Sequence, residues 1–328
     1  MRIIVILLTR FSVVLALVLP AISSSLAAEP HYPSRPLRII VGFLPGSSND
    51  TLARFTGMKL GERLKQQIVV DNRPGANGII GADLTAKANA DGHTLLLMSV
   101  SHPMSAAVYH KLPYDPLKSF TPIAMLGSGP LVLVAHPSLA ANGVKELIDL
   151  AKAKPNALTY SSAGTGGINH FGGALFARTA GVQLTHVPYK GGAPALTDVM
   201  SGQISVMWAT MPLSLTQIRA GKVKALGVTS TKRSSLLPNV PTIAESGAPG
   251  YEIATWWGIL APAAVPDAIV SRLNNEISTI ITQPDSAQRL AAEGAEPWPL
   301  SAAAYAKVIQ SEIEKWTKVA REANIRAE

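Results

Sequence analysis

Short apolar runs alternate with segments of helical periodicity along most of the chain. Leu37 to Val41 is a largely apolar run that predicts a buried strand, and a helical pattern follows from Thr51 to Leu64. Further strands are predicted at 68–70 and 94–98, with a helix ending near Ala88 between them. Strands and helices that alternate at this spacing predict parallel sheets covered by helices on both faces.

The same alternation of predicted strands and helices begins again in the middle of the chain, which indicates a second α/β domain. The glycine- and proline-containing segment 127–130 is interpreted as a crossing between the two domains, and a return crossing is predicted at 251–260. The prediction is therefore an α/β protein with two lobes, 29–127 plus 256–328 and 128–255. Two crossings would join the lobes as a hinge, with a ligand cleft between them.

The first 28 residues have the layout of a secretory signal peptide, which is predicted to be removed from the mature protein. Arg2 precedes an apolar stretch, and the segment ends in the small residues Ala27 and Ala28, after either of which cleavage is expected. The alternative is an uncleaved membrane anchor. Arg10 argues against an anchor because a charge near the middle of a spanning segment is costly in hydrocarbon.

Composition narrows the classes of function that remain. The 328 residues have room for about two domains, and 47% apolar with 15% charged residues indicates a soluble globular protein. The chain has no cysteine, which excludes disulfides, thiolate metal sites and a cysteine nucleophile. The formal charge of +8 becomes +6 without Arg2 and Arg10, and the basic residues are scattered. Nucleic-acid binding is therefore not predicted, whereas a mildly positive field favours small anions.

Two loops join a strand end to a helix start and are rich in glycine and hydroxyl groups. Such loops present unpaired backbone N–H groups at the positive end of a helix, where an anion can bind. The alternative is that Ser48 and Thr165 cap their helices and the glycines serve tight turns. Asp50 is expected to cap its helix or orient its loop. The candidates are Pro45, Gly46, Ser47, Ser48 and Asp50 in the first loop and Ser162, Ala163, Gly164, Thr165, Gly166 and His170 in the second.

Other candidates lie where predicted strands end. Ser99, Ser101 and His102 follow a strand, where α/β proteins bind ligands, although His102 is equally well suited to packing at a helix start. Trp256 and Trp257 alternate along a predicted strand, so one is expected in the core and the other at the cleft. Two further polar candidates lie at a turn and beyond a strand: Lys190 and Thr210.

Enzyme and cofactor motifs are largely incomplete. The surroundings of Ser162 lack the first glycine of a nucleophile elbow, because Tyr160 occupies that position. Asn169 occupies the third glycine position of a dinucleotide motif, and the seven histidines show no metal-ligand spacing. No catalytic residue, metal or cofactor is predicted. An ester hydrolase with Ser162 as nucleophile and His102 or His170 as base is retained as the alternative.

A series of short blocks runs in order through the chain. They are Pro45-Gly46 with Asp50, NRPGANG at 72–78, ADG at 90–92, KLPYDP at 111–116, SSAGTG at 161–166 with His170, HVPYKG at 186–191, LPNVPTIAESG at 237–247 and WGILAP at 257–262. This series resembles the tripartite tricarboxylate transporter receptor family, also called Bug proteins. The resemblance extends over the whole predicted mature chain.

The resemblance implies a periplasmic solute receptor with a two-lobed, type II-like periplasmic-binding-protein fold. Such a receptor closes as a monomer on a small aliphatic or aromatic mono- or dicarboxylate and delivers it to a membrane permease of two subunits. By this pattern Phe43 to Ser48 would form one cradle, and Ser162 to Gly166 with His170 the other. The chain departs from the family at Ser47 and Ser48, where glycine is usual, and at Gly167, where serine is frequent. A receptor that reports its ligand to a membrane sensor remains an alternative.

Overall fold

Strands and helices alternate through residues 32–326, the part of the chain that the computed structural model describes. The predicted signal peptide lies outside the described residues. The strands are β1 (Leu37–Val41), β2 (Ile68–Asn72), β3 (Thr94–Ser99), β4 (Phe120–Ala135), β5 (Thr159–Ser162), β6 (Thr185–Pro188), β7 (Val206–Thr210), β8 (Lys224–Val228), β9 (Ala254–Pro262) and β10 (Glu296–Pro297). The helices are α1 (Ser48–Leu64), α2 (Ile79–Ala86), α3 (Ser101–Val108), α4 (Val144–Ala153), α5 (Ile168–Ala180), α6 (Gly192–Met200), α7 (Met211–Arg219), α8 (Asp267–Ile281), α9 (Pro284–Ala292) and α10 (Ala302–Glu322), with a 3-10 turn at Ala76–Gly78.

The strands form one curled sheet in the order β2-β1-β3-β9-β4-β7-β5-β6, with β8 and β10 also paired to β4. The strands β1, β2 and β3 are parallel to one another, as are β5, β6 and β7. The prediction of parallel sheets is wrong for the middle of the sheet, where β9 is antiparallel to both β3 and β4. The reason is that β4 carries the chain out of the first half of the sheet and β9 carries it back.

Strand β4 belongs to both halves of the sheet. Its first part pairs with β9 as far as Pro130, and its last five residues, 131–135, pair with β7 and β8. The fold is thus the predicted two-lobed α/β fold. The lobe boundaries expected after residues 127 and 255 fall inside β4 and β9 and stay a prediction.

Aromatic side chains fill the core where α10 crosses the sheet. Trp316 of α10 is fully buried and lies edge-on to Phe171 of α5, with ring centroids 5.2 Å apart. The same helix also packs against α3 and β4. Helix α10 therefore contacts α3 and β4 as well as α5, a helix that follows β5 in the second half of the sheet. None of the helices between residues 32 and 326 is long and apolar enough to cross a membrane.

Candidate functional site

A cavity of about 410 Å³ opens where strand ends from both halves of the sheet meet the starts of three helices. It contains residues of both glycine- and hydroxyl-rich loops, so the structure brings the two loops to one pocket. The lining residues are Phe43, Ser48, Asn49, Asn77, Ser99, Val100, Ser101, Met104, Ala163, Gly164, Thr165, Gly166, Gly167, Ile168, Asn169, Thr255 and Trp257.

The amino-terminal ends of α1, α3 and α5 all lie at this pocket. Ser48 and Asn49 begin α1, Ser101 begins α3, and Ile168 and Asn169 begin α5. The first N–H groups of a helix have no partner within the helix, and the helix dipole places partial positive charge there. Three such ends around one cavity make it favourable for an anion.

The side chains that line the pocket are uncharged, as far as the described residues show. Hydroxyl and amide groups alternate with apolar walls such as Phe43 and Trp257. Asn49 is only 7% exposed, and its Oδ1 has no hydrogen-bond partner within the described structure. An anion here would be held by dipoles and hydrogen bonds rather than by an ion pair.

Asp50 lies outside the pocket lining and is hydrogen-bonded to the backbone of the first loop. Its carboxylate accepts hydrogen bonds from the Gly46 N–H and from Asn72 Nδ2, both at 2.9 Å, and pairs with Arg54. Burial alone would raise the pKa of Asp50, but the hydrogen bonds from Arg54, Gly46 and Asn72 outweigh burial and lower it. Asp50 therefore stays ionised and orients its loop, consistent with the expectation from sequence.

Ser48, at the start of α1, is tied to a distant carboxylate. Its Oγ donates a hydrogen bond of 2.6 Å to Glu293 Oε2, immediately after α9. Glu293 itself does not line the pocket. The Ser48 proton is therefore already used in a hydrogen bond within the protein.

Ser162 and His170 lie outside the pocket lining and are hydrogen-bonded to the backbone of the second loop. The Gly164 N–H donates to Ser162 Oγ and the Gly166 N–H donates to His170 Nδ1, both at 3.2 Å. Ser162 Oγ also lies 2.7 Å from Nε2 of His186. Two of the loop amides that sequence reasoning assigned to the ligand are therefore bonded within the protein.

The two histidines of this anchoring cluster are stacked on each other. The rings of His170 and His186 lie 3.6 Å apart between centroids, 10° from parallel. Burial, with the nearby His186, lowers the pKa of His170 to about 3, and burial lowers the pKa of His186 to about 4. Both rings are therefore neutral near pH 7. They face a separate cavity of about 450 Å³ beside α10 rather than the 410 Å³ pocket.

Eight of the residues proposed from sequence line the pocket, and the others lie outside its lining. Those in the lining are Phe43, Ser48, Ser99, Ser101, Ala163, Gly164, Thr165 and Gly166. Those outside are Pro45, Gly46, Ser47, Asp50, His102, Ser162, His170, Lys190 and Thr210.

The placement of His102 has a clear physical reason. It is 2% exposed, its Nε2 lies 2.8 Å from the Pro116 carbonyl oxygen, and its ring stacks on Tyr114 at 5.7 Å. Burial lowers the pKa of His102 to about 4, so the ring is neutral. The structure places His102 as a packed residue in the first turn of α3, which was the alternative left open by the sequence.

Three of the other residues outside the lining lie at a helix start or in a turn. Ser47 Oγ caps α1 by accepting from the Asp50 N–H at 3.3 Å. Thr210 is the residue that precedes α7, and Lys190 is exposed in its turn.

Sequence reasoning missed eight lining residues, and it expected either Trp256 or Trp257 at the cleft, where Trp257 lies. Asn49 and Asn169 each follow the first residue of a helix, so their position after a glycine- or serine-rich loop was an available signal. The other six are Asn77, Val100, Met104, Gly167, Ile168 and Thr255. Val100 precedes α3 and Met104 lies within it, and the apolar pattern does not reveal this helix.

A two-lobed α/β fold, with an uncharged pocket lined by three helix starts and by two glycine- and hydroxyl-rich loops, is typical of solute-binding receptors of the periplasmic type. The model of the tripartite tricarboxylate transporter family receptor matches residues 52–325. The chain belongs to this family, which is a family of solute receptors rather than of enzymes. The resemblance seen in the sequence blocks is thereby confirmed.

Two relatives match nearly the full length. The chain is 39% identical over 297 residues to the UPF0065 protein in the tcbD-tcbE intergenic region of Pseudomonas sp. strain P51, covering 90% of this chain and 88% of the relative. It is 37% identical over 293 residues to protein BugT of Bordetella pertussis, covering 89% and 90% respectively.

Two solved structures share the fold and are described with carboxylates. R. palustris Rpa4515 with adipate is 35% identical with a TM-score of 0.78, covering 90% of this chain and 99% of that one. MatC from Rhodopseudomonas palustris with bound malate is 32% identical with a TM-score of 0.74, covering 88% and 99%.

Proposed function

We propose that this protein is exported to the periplasm, captures a small carboxylate in the 410 Å³ pocket and delivers it to a two-subunit membrane permease. The observation that carries the proposal is the convergence of three helix starts on a pocket whose described lining is uncharged. The 1–28 segment is the proposed export signal, and the receptor is proposed to act as a monomer.

The pocket chemistry supports an acid as the ligand. Each helix start offers unpaired N–H donors, and hydrogen bonds to a charged acceptor are about twice as strong as those between neutral groups. Thr165 adds a side-chain hydroxyl donor on the α5 side. A neutral ligand would leave these donors less well compensated on burial. The adipate and malate in the two related structures are acids of the size that such a pocket accepts.

Ligand capture is proposed to shift the two lobes toward a closed arrangement. The two loops lie on either side of the strands β4 and β9 that join the halves of the sheet, so a ligand that bonds to both loops favours states in which they are close. The hydrolase alternative is not favoured, because Ser162 is 0% exposed and does not reach the pocket.

Thermal-shift measurements test the assignment of an acid ligand. Succinate, adipate, malate and benzoate are each compared with the corresponding amide, and at least one acid is expected to raise the midpoint of unfolding. If only amides, sugars or amines raise the midpoint, the proposal is wrong.

A matched pair of variants tests whether the pocket is the site. Thr165→Val removes a hydroxyl from the lining and is expected to weaken acid binding by about 1 kcal/mol, roughly fivefold in Kd. Thr210→Val makes the same change outside the lining and is expected to leave Kd unchanged. Equal effects of the two changes would place the ligand elsewhere.

A further inference from the structure

We infer that the α1 end of the pocket selects a ligand that carries a hydrogen-bond donor, a hydroxyl or ammonium group, and disfavours a second carboxylate there. This inference rests on the proposed function and specifies the class of acid. The ligand would be a monocarboxylate with a donor at its far end, held between the helix starts of α5 and α1.

The inference begins with the proton of Ser48. Glu293 Oε2 lies 2.6 Å from Ser48 Oγ, and an ionised carboxylate only accepts, so the serine proton points away from the pocket toward Glu293. The atom that Ser48 presents to the pocket is therefore an oxygen with free lone pairs. A ligand hydroxyl or ammonium can donate to it, whereas a ligand carboxylate cannot.

Negative charges near Ser48 also disfavour a ligand carboxylate at the α1 end of the pocket. The Glu293 side chain is 13% exposed, so solvent screens it little, and its contact with Arg289 is long, at 3.5 Å. Asp50 in the first turn of α1 is a second carboxylate at this end, paired with Arg54. These two acids offset the positive end of α1 and oppose a further negative charge beside Ser48.

The α5 end of the pocket has the opposite character. Its lining residues Thr165, Ile168 and Asn169 present N–H and hydroxyl groups, and none of them bonds to a carboxylate within residues 32–326. Asn169 Nδ2 donates a hydrogen bond of 2.5 Å to the Trp208 carbonyl oxygen, which fixes the side chain at the helix start. The ligand carboxylate is therefore assigned to this end and the donor group to Ser48.

Isothermal titration with matched pairs of acids tests the inference. The probes are 6-hydroxyhexanoate against adipate and 4-hydroxybenzoate against terephthalate, so that each pair differs in one end group. In the unmodified protein, the hydroxy acid of the pair that binds is expected to have a Kd lower by about tenfold, the effect of one uncompensated buried charge.

Glu293→Gln is the decisive variant. Its amide can donate to Ser48 Oγ, which frees the serine proton for a ligand carboxylate, so the preference is expected to shrink to within about threefold. Glu296→Gln removes the same charge three residues away without contact to Ser48, and is expected to keep the full preference. If Glu293→Gln fails to fold, Ser48→Ala replaces it and is expected to weaken the hydroxy acid more than the dicarboxylate.

The outcomes separate the two proposals. Dicarboxylates that bind the unmodified protein as tightly as their hydroxy partners overturn the inference but leave the acid receptor intact. A preference that survives Glu293→Gln unchanged also overturns it. If none of the acids in either series binds while a neutral solute does, the proposed function falls together with the inference.

Discussion

His170 anchors the second ligand loop without lining the pocket, so replacing it tests anchoring separately from ligand contact. Its Nδ1 accepts the Gly166 N–H at 3.2 Å, and its ring stacks on His186 at 3.6 Å. In His170→Leu the Gly166 N–H loses its acceptor at a position that is buried. The leucine also replaces a flat ring by a branched chain against His186.

The expected cost follows from these two contacts. A buried N–H left without a partner costs about 1 to 3 kcal/mol, and a lost ring stack about 0.5 to 1.5 kcal/mol. The free energy of unfolding is therefore expected to fall by about 1.5 to 4.5 kcal/mol in His170→Leu. Because Gly166 has a left-handed φ of 75° and borders the pocket, the loop is also expected to lose its geometry and bind acids more weakly.

Urea unfolding and titration with the acid that stabilises best measure the two effects. His170→Asn is the matched variant, because its Oδ1 lies about as far along the side chain as Nδ1 and can accept the same N–H. We expect His170→Asn to recover about 1 kcal/mol or more of the stability lost in His170→Leu, and part of the affinity.

Two results would refute this reasoning. Equal stability of His170→Leu and His170→Asn would mean that the Gly166 hydrogen bond contributes nothing. Lost stability with an unchanged Kd would mean that the loop keeps its shape without the anchor.

The remaining predictions concern the crossing strand and pH. An added Cβ at Gly129 of β4 would lie 2.1 Å from the Gly294 carbonyl oxygen, whereas one at Gly143 meets nothing within 4 Å. Thermal unfolding should therefore show Gly129→Ala destabilised by about 1 to 3 kcal/mol and Gly143→Ala near neutral, and equal midpoints would contradict this. Burial lowers the pKa of His102 to about 4 and that of His170 to about 3, the latter with help from His186, against the ordinary 6.5. Below pH 6.5 the unfolded state then binds more protons than the folded state. The free energy of unfolding, measured with urea, should therefore fall from pH 7 to pH 5 by up to about 1.4 kcal/mol per pH unit for each histidine. A flat profile would count against the burial of these two side chains.

Local patterns predicted two loops from which residues line the pocket, and their role in ligand binding stays a prediction. An apolar strand followed by glycine, serine and a helical pattern places the loop at the carboxyl edge of the sheet, whichever strands are its neighbours. Ser48 and Gly164 therefore reached the pocket as expected. The alternation of Trp256 and Trp257 was similarly informative, because Trp256 is 2% exposed against Tyr305 in the core whereas Trp257 lines the pocket.

The sequence alone could not predict contacts between residues that are far apart in the chain. Ser162 was assigned to the ligand because it opens a polar loop, but its partner His186 lies on the neighbouring strand β6. Only the parallel pairing of β5 with β6 brings the two side chains together. The Ser48 contact with Glu293 joins residues 245 positions apart, and no local pattern reports such a pair.

Helix α3 escaped prediction for a local reason. It has eight residues, includes Pro103, and is buried on most of its surface, so it shows no alternation of apolar and polar faces. The sequence therefore left open whether His102 binds a ligand at the strand end or packs at a helix start. In a helix, Ser101 stays at the pocket while His102 turns toward Tyr114 and Phe120.

The two loops that line the pocket are held in the same way. Asp50 behind the first loop, and Ser162 with His170 behind the second, bond to loop backbone within the protein and leave the described pocket lining uncharged. Substituting these anchors changes loop geometry for every ligand alike. We instead expect ligand preference to depend on Ser48, the lining side chain whose hydrogen-bonding direction is set by the distant Glu293. A receptor built in this way can change the acid that it prefers by one substitution outside the pocket while its fold and loops stay the same.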